Sequence, residues 1–186
     1  MGQILSHQVE AEFANFIQWS FDAAAATVCE FKRRNYGSAL HVDEVKYLTN
    51  LSAEDSQKLV ERFASLGVPD SNLESLNAFI LLPVIVLLSG SEEDRNDAES
   101  RFSLLFDLFD LEENGKLTAD DLRSLLQCTL EGLRLSILSA SSRNHSSLAD
   151  DDIDWLISDC FRVAGKPEHR KLREKNFVNW AVERLH

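Results

Sequence analysis

The sequence has few of the residues that interrupt regular secondary structure. Its 186 residues include 7 Gly and 3 Pro, and no stretch of any length alternates apolar and polar side chains. Apolar residues instead recur at the three- and four-residue spacings that place side chains on one face of a helix. The sequence therefore predicts an all-α protein.

Long apolar runs are also absent. The longest covers residues 79–88 and contains Pro83. A helix needs about 20 apolar residues to cross a bilayer, so this run is too short to span one. We interpret it as a buried or groove-lining helix.

Cysteine and paired histidine patterns are scarce. The chain has 3 Cys, at positions 29, 128 and 160, and no secretory signal, which favours a reducing compartment. We interpret these cysteines as small buried hydrophobic residues. No nucleophile–base pair, Gly-rich phosphate loop or paired-histidine metal motif is present, so we expect no enzymatic activity.

Positive charge is in short supply. The 19 Lys and Arg face 31 Asp and Glu, a formal net charge of −12. That balance argues against binding to nucleic acid and against electrostatic attachment to anionic lipid. The distribution is uneven: residues 92–121 carry eleven acids and three bases, and residues 160–186 carry seven bases and three acids.

The most specific pattern is the twelve-residue stretch 110–121. Read as a calcium loop, it places an oxygen donor at each ligand position. These donors are Asp110, Glu112, Asn114, the backbone carbonyl of Lys116, Thr118 and Asp121. Gly115 falls at the sixth position, where such a loop turns sharply. The pattern predicts one site for Ca²⁺ or Mg²⁺.

The sequence on both sides of the loop agrees with this interpretation. Helical apolar patterns precede and follow it, and Thr118 can cap the second helix with Asp121 three residues later. The alternative is an acidic surface loop between two helices. Asp121 replaces the longer Glu usual at position 12, so we expect weakened calcium affinity and competition from magnesium.

Three further segments have the apolar pattern of helix–loop–helix units without the ligands. The segment 32–44 begins with Lys and Arg, and the connector 67–72 lacks a full ligand set. The segment 165–176 carries Lys166, Arg170 and Lys171 where a cation would sit. We expect none of the three to bind metal, and we predict that Leu172 pairs with Leu117 in a short two-stranded bridge.

A change from apolar to small and acidic residues at 89–94 divides the chain. We predict an N-terminal lobe of residues 1–90 and a C-terminal lobe of residues 91–186.

The first residues fit an N-myristoylation motif. Removal of Met1 exposes Gly2, and Ser6 stands where the motif requires Ser or Thr. Short motifs of this kind also arise by chance. A single myristoyl chain gives only reversible membrane attachment, so we expect a cytoplasmic protein that can associate with the inner face of a membrane.

Taken together, these features resemble the four-EF-hand calcium sensor superfamily, closest to its calcineurin B, calcium-and-integrin-binding and neuronal calcium sensor groups. The resemblance covers nearly the whole chain and rests on Gly2, the loop 110–121 in third place, and the altered loops around it. It implies paired EF-hands in two lobes, with one intact metal loop and three degenerate hands. It also implies an apolar groove that binds an amphipathic helix of a target protein.

The residues expected to line that groove come from two apolar helical segments. They are Phe79, Ile80, Val84, Leu87, Leu88, Leu126, Leu130 and Leu133. Two functions stay open at this point. The first is a calcium-binding regulatory adaptor, and the second is a constitutive interaction subunit that is metal-independent or holds Mg²⁺.

Overall fold

Helices make up most of the chain in the computed structural model, as the sequence predicts. The structure describes residues 12–68, 71–90, 98–137, 150–168 and 170–185. Within these ranges the helices are α1 (Ala14–Ile17), α2 (Phe21–Arg34), α3 (Val42–Thr49), α4 (Ala53–Ser65), α5 (Ala78–Leu88), α6 (Ala98–Phe109), α7 (Ala119–Ile137), α8 (Asp150–Val163) and α9 (Glu174–Leu185).

Polar caps fix several helix ends. The Ser20 hydroxyl accepts a hydrogen bond from the Ala23 amide at the start of α2. At the start of α4, the Ser52 hydroxyl accepts one from the Asp55 amide, at 3.0 Å. Each bond satisfies one of the amides that a helix N-terminus leaves without an intrahelical partner.

Two short antiparallel ribbons connect the loops. The strands are β1 (Ala39–His41), β2 (Ser75–Asn77), β3 (Lys116–Leu117) and β4 (Leu172–Arg173). Strand β1 pairs with β2, which sets Leu40 opposite Leu76. Strand β3 pairs with β4 and sets Leu117 opposite Leu172, so this predicted pairing is confirmed.

A continuous apolar core runs through both halves of the chain. Its largest fully buried side chains include Phe16 and Phe63 from the first half and Phe106, Phe177 and Trp180 from the second. Helix α5 is the centre of this core, and the apolar run 79–88 is therefore a buried helix. No helix in the described ranges is long and apolar enough to cross a membrane.

Helices α5 and α7 approach each other closely at Gly132. A Cβ atom added at Gly132 would lie 2.5 Å from Val84 Cγ2 and 2.6 Å from the Ile80 carbonyl oxygen. Only glycine fits there, because a backbone oxygen cannot move aside as a flexible side chain can. The predicted boundary between lobes falls near residues 91–97, which lie outside the described ranges, and the division into two lobes stays a prediction.

The cysteines are free thiols with three different environments. Cys160 is buried, and burial raises the pKa of its thiol to about 12. Cys128 is half-buried. Cys29 is exposed, so interpreting it as a buried hydrophobic residue was wrong; it lies on the solvent side of α2.

Candidate metal centre

The loop between α6 and α7 begins at a buried carboxylate. Asp110 follows the last residue of α6 and is only 5% exposed. Its two carboxylate oxygens accept hydrogen bonds from the backbone amides of Asn114, at 3.2 Å, and Gly115, at 2.6 Å. These bonds fold the loop back over its first residue. Gly115 has φ +70°, a left-handed conformation that costs other residues energy and glycine little.

Two more predicted ligands meet beside Asp110. The Asn114 side-chain amide donates to a Glu112 carboxylate oxygen at 2.5 Å. The same Glu112 carboxylate forms an ion pair with the ammonium group of Lys171, from the loop between α8 and α9. The hydrogen bond to Glu112 is the main cause of the raised pKa of Lys171. A protein cation therefore already partners one of the loop's carboxylates.

The last predicted ligand has a second task as a helix cap. The Asp121 carboxylate accepts hydrogen bonds from the Thr118 amide, at 2.8 Å, and the Thr118 hydroxyl, at 2.7 Å. The Asp121 amide in turn donates to the Thr118 hydroxyl at 3.1 Å. This is the capping box expected from the sequence, and it closes the N-terminus of α7.

The acidic ligands do not converge in this conformation. Across the described residues there is no cluster of three or more Asp, Glu, His or Cys side chains placed to hold a metal ion. The contacts of Asn114 hold Asp110 and Glu112 near each other. The carboxylate of Asp121 instead accepts the hydrogen bonds that cap α7. The remaining predicted ligands are the carbonyl of Lys116, in β3, and Thr118.

The chemistry of this donor set nevertheless fits Ca²⁺ or Mg²⁺, because both ions prefer carboxylate, amide and carbonyl oxygens. The hydrogen bonds of the loop show which contacts would have to change for a metal ion to bind. Glu112 would leave Lys171, and Asp121 would turn away from Thr118. The loss of a helix cap costs about 1 kcal/mol. Breaking this cap and the Glu112–Lys171 ion pair would both weaken the affinity of the loop for the metal ion.

The loop also contacts the first half of the chain. Lys32, near the end of α2, donates to the Asp107 carbonyl of α6 at 2.9 Å. Its ammonium group lies 3.7 Å from the carboxylate of Glu113, in the loop. A movement of this loop therefore reaches α2 directly.

The predicted groove residues pack against one another instead of lining an open surface. Ile80, Val84, Leu88 and Leu126 are buried. Phe79, Leu87 and Leu130 are partly buried against the same core. Leu133 is partly exposed and is not part of that core. In this conformation the groove is closed by the contact between α5 and α7.

Sequence reasoning missed an open pocket of about 610 Å³ between α2, α6 and α9. Phe21, Leu104 and Val178 supply part of its apolar lining, and acidic side chains surround them. Burial, and secondarily Glu174, raise the pKa of Asp107 in this pocket. Three helices distant in sequence form this pocket, so no local pattern could have identified it.

A second surface pocket, of about 560 Å³, lies beside the β3–β4 ribbon. Its lining consists of Lys116, Lys166, Arg170, Lys171 and Arg173. The excess of bases in residues 160–186 is the sequence signal for this pocket, although those bases predicted only the loss of metal binding.

The predicted lipidation site, Gly2, lies outside the described residues. The sequence matches none of the protein-family models against which it was compared. No curated protein matches it either.

Proposed function

We propose that this chain is a metal-modulated regulatory adaptor of the EF-hand type, with one metal loop at 110–121 and three hands that bind no metal. The observation that carries the proposal is the loop itself. A buried Asp110 begins it, oxygen donors follow at the spacing that Ca²⁺ requires, and Gly115 takes the left-handed turn. Two helices, of 12 and 19 residues, flank it and can transmit a change in its shape.

In this proposal the residues of the loop would hold one ion. Asp110, Glu112 and Asp121 would supply carboxylate oxygens, Asn114 an amide oxygen, and Lys116 its carbonyl. Thr118 would contribute its hydroxyl, directly or through water. The ion would supply a double positive charge that draws these donors together.

The mechanical consequence follows from the hydrogen bonds that must break. When Asp121 leaves its cap on Thr118, the start of α7 moves relative to α6. Because α7 packs tightly on α5 at Gly132, that movement separates the apolar faces of α5 and α7. The exposed face would then bind the apolar side of a helix from a target protein.

A lipid at Gly2 belongs to the same proposal. A myristoyl chain there would hold the adaptor at a membrane reversibly, and the target helix would add the second attachment.

The test is calorimetric titration of the metal-free protein with Ca²⁺, first alone and then with about 1 mM Mg²⁺. We expect one site with a Kd of about 10⁻⁵ M, the weak end of the range for sensor loops. Asp110→Ala should abolish binding because it removes the first ligand. Asp120→Ala is the matched control, since it deletes an exposed carboxylate of the same loop outside the ligand positions.

A second candidate function is a constitutive interaction subunit, and the Lys171–Glu112 ion pair favours it. That pair neutralises a loop carboxylate without any metal. The open pocket between α2, α6 and α9 would then receive the partner with no rearrangement. Absence of calcium binding, or its loss to millimolar magnesium, would refute the switch and leave this second function.

A further inference from the structure

The pocket beside the β3–β4 ribbon has an unusual lining for this protein. All five of its lining residues are basic: Lys116, Lys166, Arg170, Lys171 and Arg173. The chain as a whole has 19 Lys and Arg among 186 residues and a net charge of −12. A concave surface lined by one sign of charge focuses the electric field and concentrates ions of the opposite sign.

The ribbon places two of these cations in an unfavourable arrangement. Lys116 and Arg173 are directly opposite each other in the antiparallel pair, and like charges in that position destabilise a ribbon. Their neighbours Leu117 and Leu172 are buried on the other face. The exposed face therefore directs both cations to the pocket, and a bound anion would remove their repulsion.

Most of the charge in the pocket is not neutralised by the protein. Within the described residues no carboxylate forms an ion pair with Lys116, Arg170 or Arg173. The Lys166 ammonium donates to the Lys171 carbonyl oxygen at 3.3 Å. Among the described residues, Lys171 is the one lining side chain with a carboxylate partner, Glu112 of the neighbouring loop.

We propose that this pocket binds the phosphate groups of a polyphosphorylated ligand. Arg170 and Arg173 carry planar guanidinium groups, which contact phosphate through two parallel hydrogen bonds, and the lysines add point charges. Four cations without carboxylate partners match the charge of two phosphate groups. The volume, about 560 Å³, lies within the usual range for small-ligand sites. A soluble phosphate ester and a phosphorylated lipid headgroup both have this chemistry.

Glu112 connects this pocket to the loop at 110–121. Its carboxylate holds Lys171 and lowers the positive potential of the pocket. Removal of that charge frees Lys171 for the ligand, so the anion binds more tightly. A metal ion on Glu112 would have the same effect, and only that extension rests on the proposed function.

The first experiment measures pyrophosphate binding by calorimetry in metal-free buffer at low salt. Wild type is compared with Arg170→Gln/Arg173→Gln and with Arg33→Gln/Lys58→Gln, which removes two exposed cations elsewhere. Loss of two charge-assisted contacts should weaken binding at least about tenfold in the pocket variant. The control should stay within about twofold, as expected for screened surface charges.

Circular dichroism checks that each variant remains folded. No binding to wild type, or equal losses in the two double variants, would overturn the site.

The second experiment repeats the titration with Glu112→Gln. We expect binding tighter than wild type by several-fold, because Lys171 loses its partner. Glu54→Gln is the matched control: it also removes one carboxylate that is paired with a lysine, Lys58, and should leave affinity unchanged. No metal is present, so a failure of the calcium proposal does not affect this result. Unchanged or weaker binding by Glu112→Gln would refute the connection.

The third experiment separates the two sources of the ligand. Vesicles of phosphatidylcholine with about 5% phosphatidylinositol bisphosphate are compared with phosphatidylcholine–phosphatidylserine vesicles of matched charge. Binding only to the phosphorylated lipid assigns the site to a headgroup, and binding to pyrophosphate with neither vesicle assigns it to a soluble ester. Equal binding to both vesicles would contradict phosphate recognition.

Discussion

Asp159 is a buried carboxylate with hydrogen-bond and ion-pair partners on two helices. It is 5% exposed, on α8. The indole of Trp180, on α9, donates to its carboxylate at 2.9 Å in the interior. Arg162 forms an ion pair with it, and the Arg184 guanidinium lies 3.4 Å away. These groups lower the pKa of Asp159, with the Trp180 hydrogen bond as the largest cause.

The pH dependence of stability follows from the direction of this shift. A carboxylate with a lowered folded pKa stabilises the native state above its unfolded pKa, about 3.9 for Asp. That stabilisation is lost as the pH falls through the lower folded value. We expect Asp159→Asn to be less stable than wild type at pH 7, and the difference to shrink by pH 3, in urea unfolding at both pH values.

Glu183→Gln is the control for this experiment, because it exchanges an exposed carboxylate of α9 for an amide. It should have similar stability to wild type at both pH values. A stability difference for Asp159→Asn that stays constant between pH 7 and pH 3 would refute the role of ionisation.

Thr118 and Asp121 show how far the sequence can predict the conformation of the loop 110–121. Thr118 and Asp121 were expected to cap α7, and they do. Both were also predicted metal ligands. A sequence pattern assigns these residues to both tasks at once, and in the conformation seen the Asp121 Oδ2 atom serves the cap. The capped conformation is the one seen, and local pattern gave no means to choose.

At the scale of elements, the α5–α7 contact controls whether the apolar faces stay covered. Gly132 allows the two helix backbones to touch near Ile80 and Val84. A glycine in a helix interior normally costs about 0.5–1 kcal/mol relative to alanine. Alanine at this position should therefore stabilise an isolated helix and destabilise the packed one.

We expect Gly132→Ala to lower the free energy of unfolding by about 1–3 kcal/mol, the usual cost of overpacking. The added methyl group meets a backbone carbonyl that cannot yield without a shift of the helix. Urea midpoints at constant slope measure the effect. Val84→Ala removes one of the two clashes, so the double variant should lose less stability than the sum of the two single variants.

Gly37→Ala is the matched control, because nothing lies within 4 Å of a Cβ added there. It should leave stability unchanged or slightly raised. A stabilised Gly132→Ala variant would show that α5 and α7 are not in close contact in solution.

Helices and strands could be predicted from the sequence where an apolar period or a pairing of two short segments determines them. The apolar periods predicted the helices on both sides of the loop, and the equivalent places of Leu117 and Leu172 in their two loops predicted that they pair. The groove was harder to predict. Apolar residues such as Val84 and Leu126 mark a face to be covered, but only the tertiary arrangement decides whether a target or the chain's own α7 covers it.

At the scale of the whole molecule, the two halves of the chain share one apolar core. Phe79 of α5 contacts Phe31 in the first half and Phe109 in the second, with ring centroids 5.8 and 5.4 Å apart. Aromatic contacts of this kind add about 0.5–1.5 kcal/mol beyond burial. The change in composition near residue 90 predicted a boundary there. Composition shows that the connecting segment is polar, but it carries no information on contacts between the two halves of the chain.

This shared core predicts a single unfolding transition. Trp19 reports on the first half and the buried Trp180 on the second, while Trp155 is 62% exposed and is best replaced. In Trp155→Phe/Trp180→Phe only Trp19 fluoresces, and in Trp155→Phe/Trp19→Phe only Trp180 does. Within each variant, the fluorescence midpoint in urea should coincide with the midpoint of helix loss by circular dichroism. Comparison inside one variant removes the effect of the substitutions on total stability.

A different result would support the two-lobe prediction. If Trp19 fluorescence changes at lower urea than the helical signal, the first half unfolds separately and the core contacts through Phe79 contribute little. Coincident transitions instead mean that a change at the loop 110–121 acts on the stability of the entire chain. Lys32 belongs to this connection, because its ammonium group joins α2 to the Asp107 carbonyl of α6 and lies 3.7 Å from Glu113 of that loop.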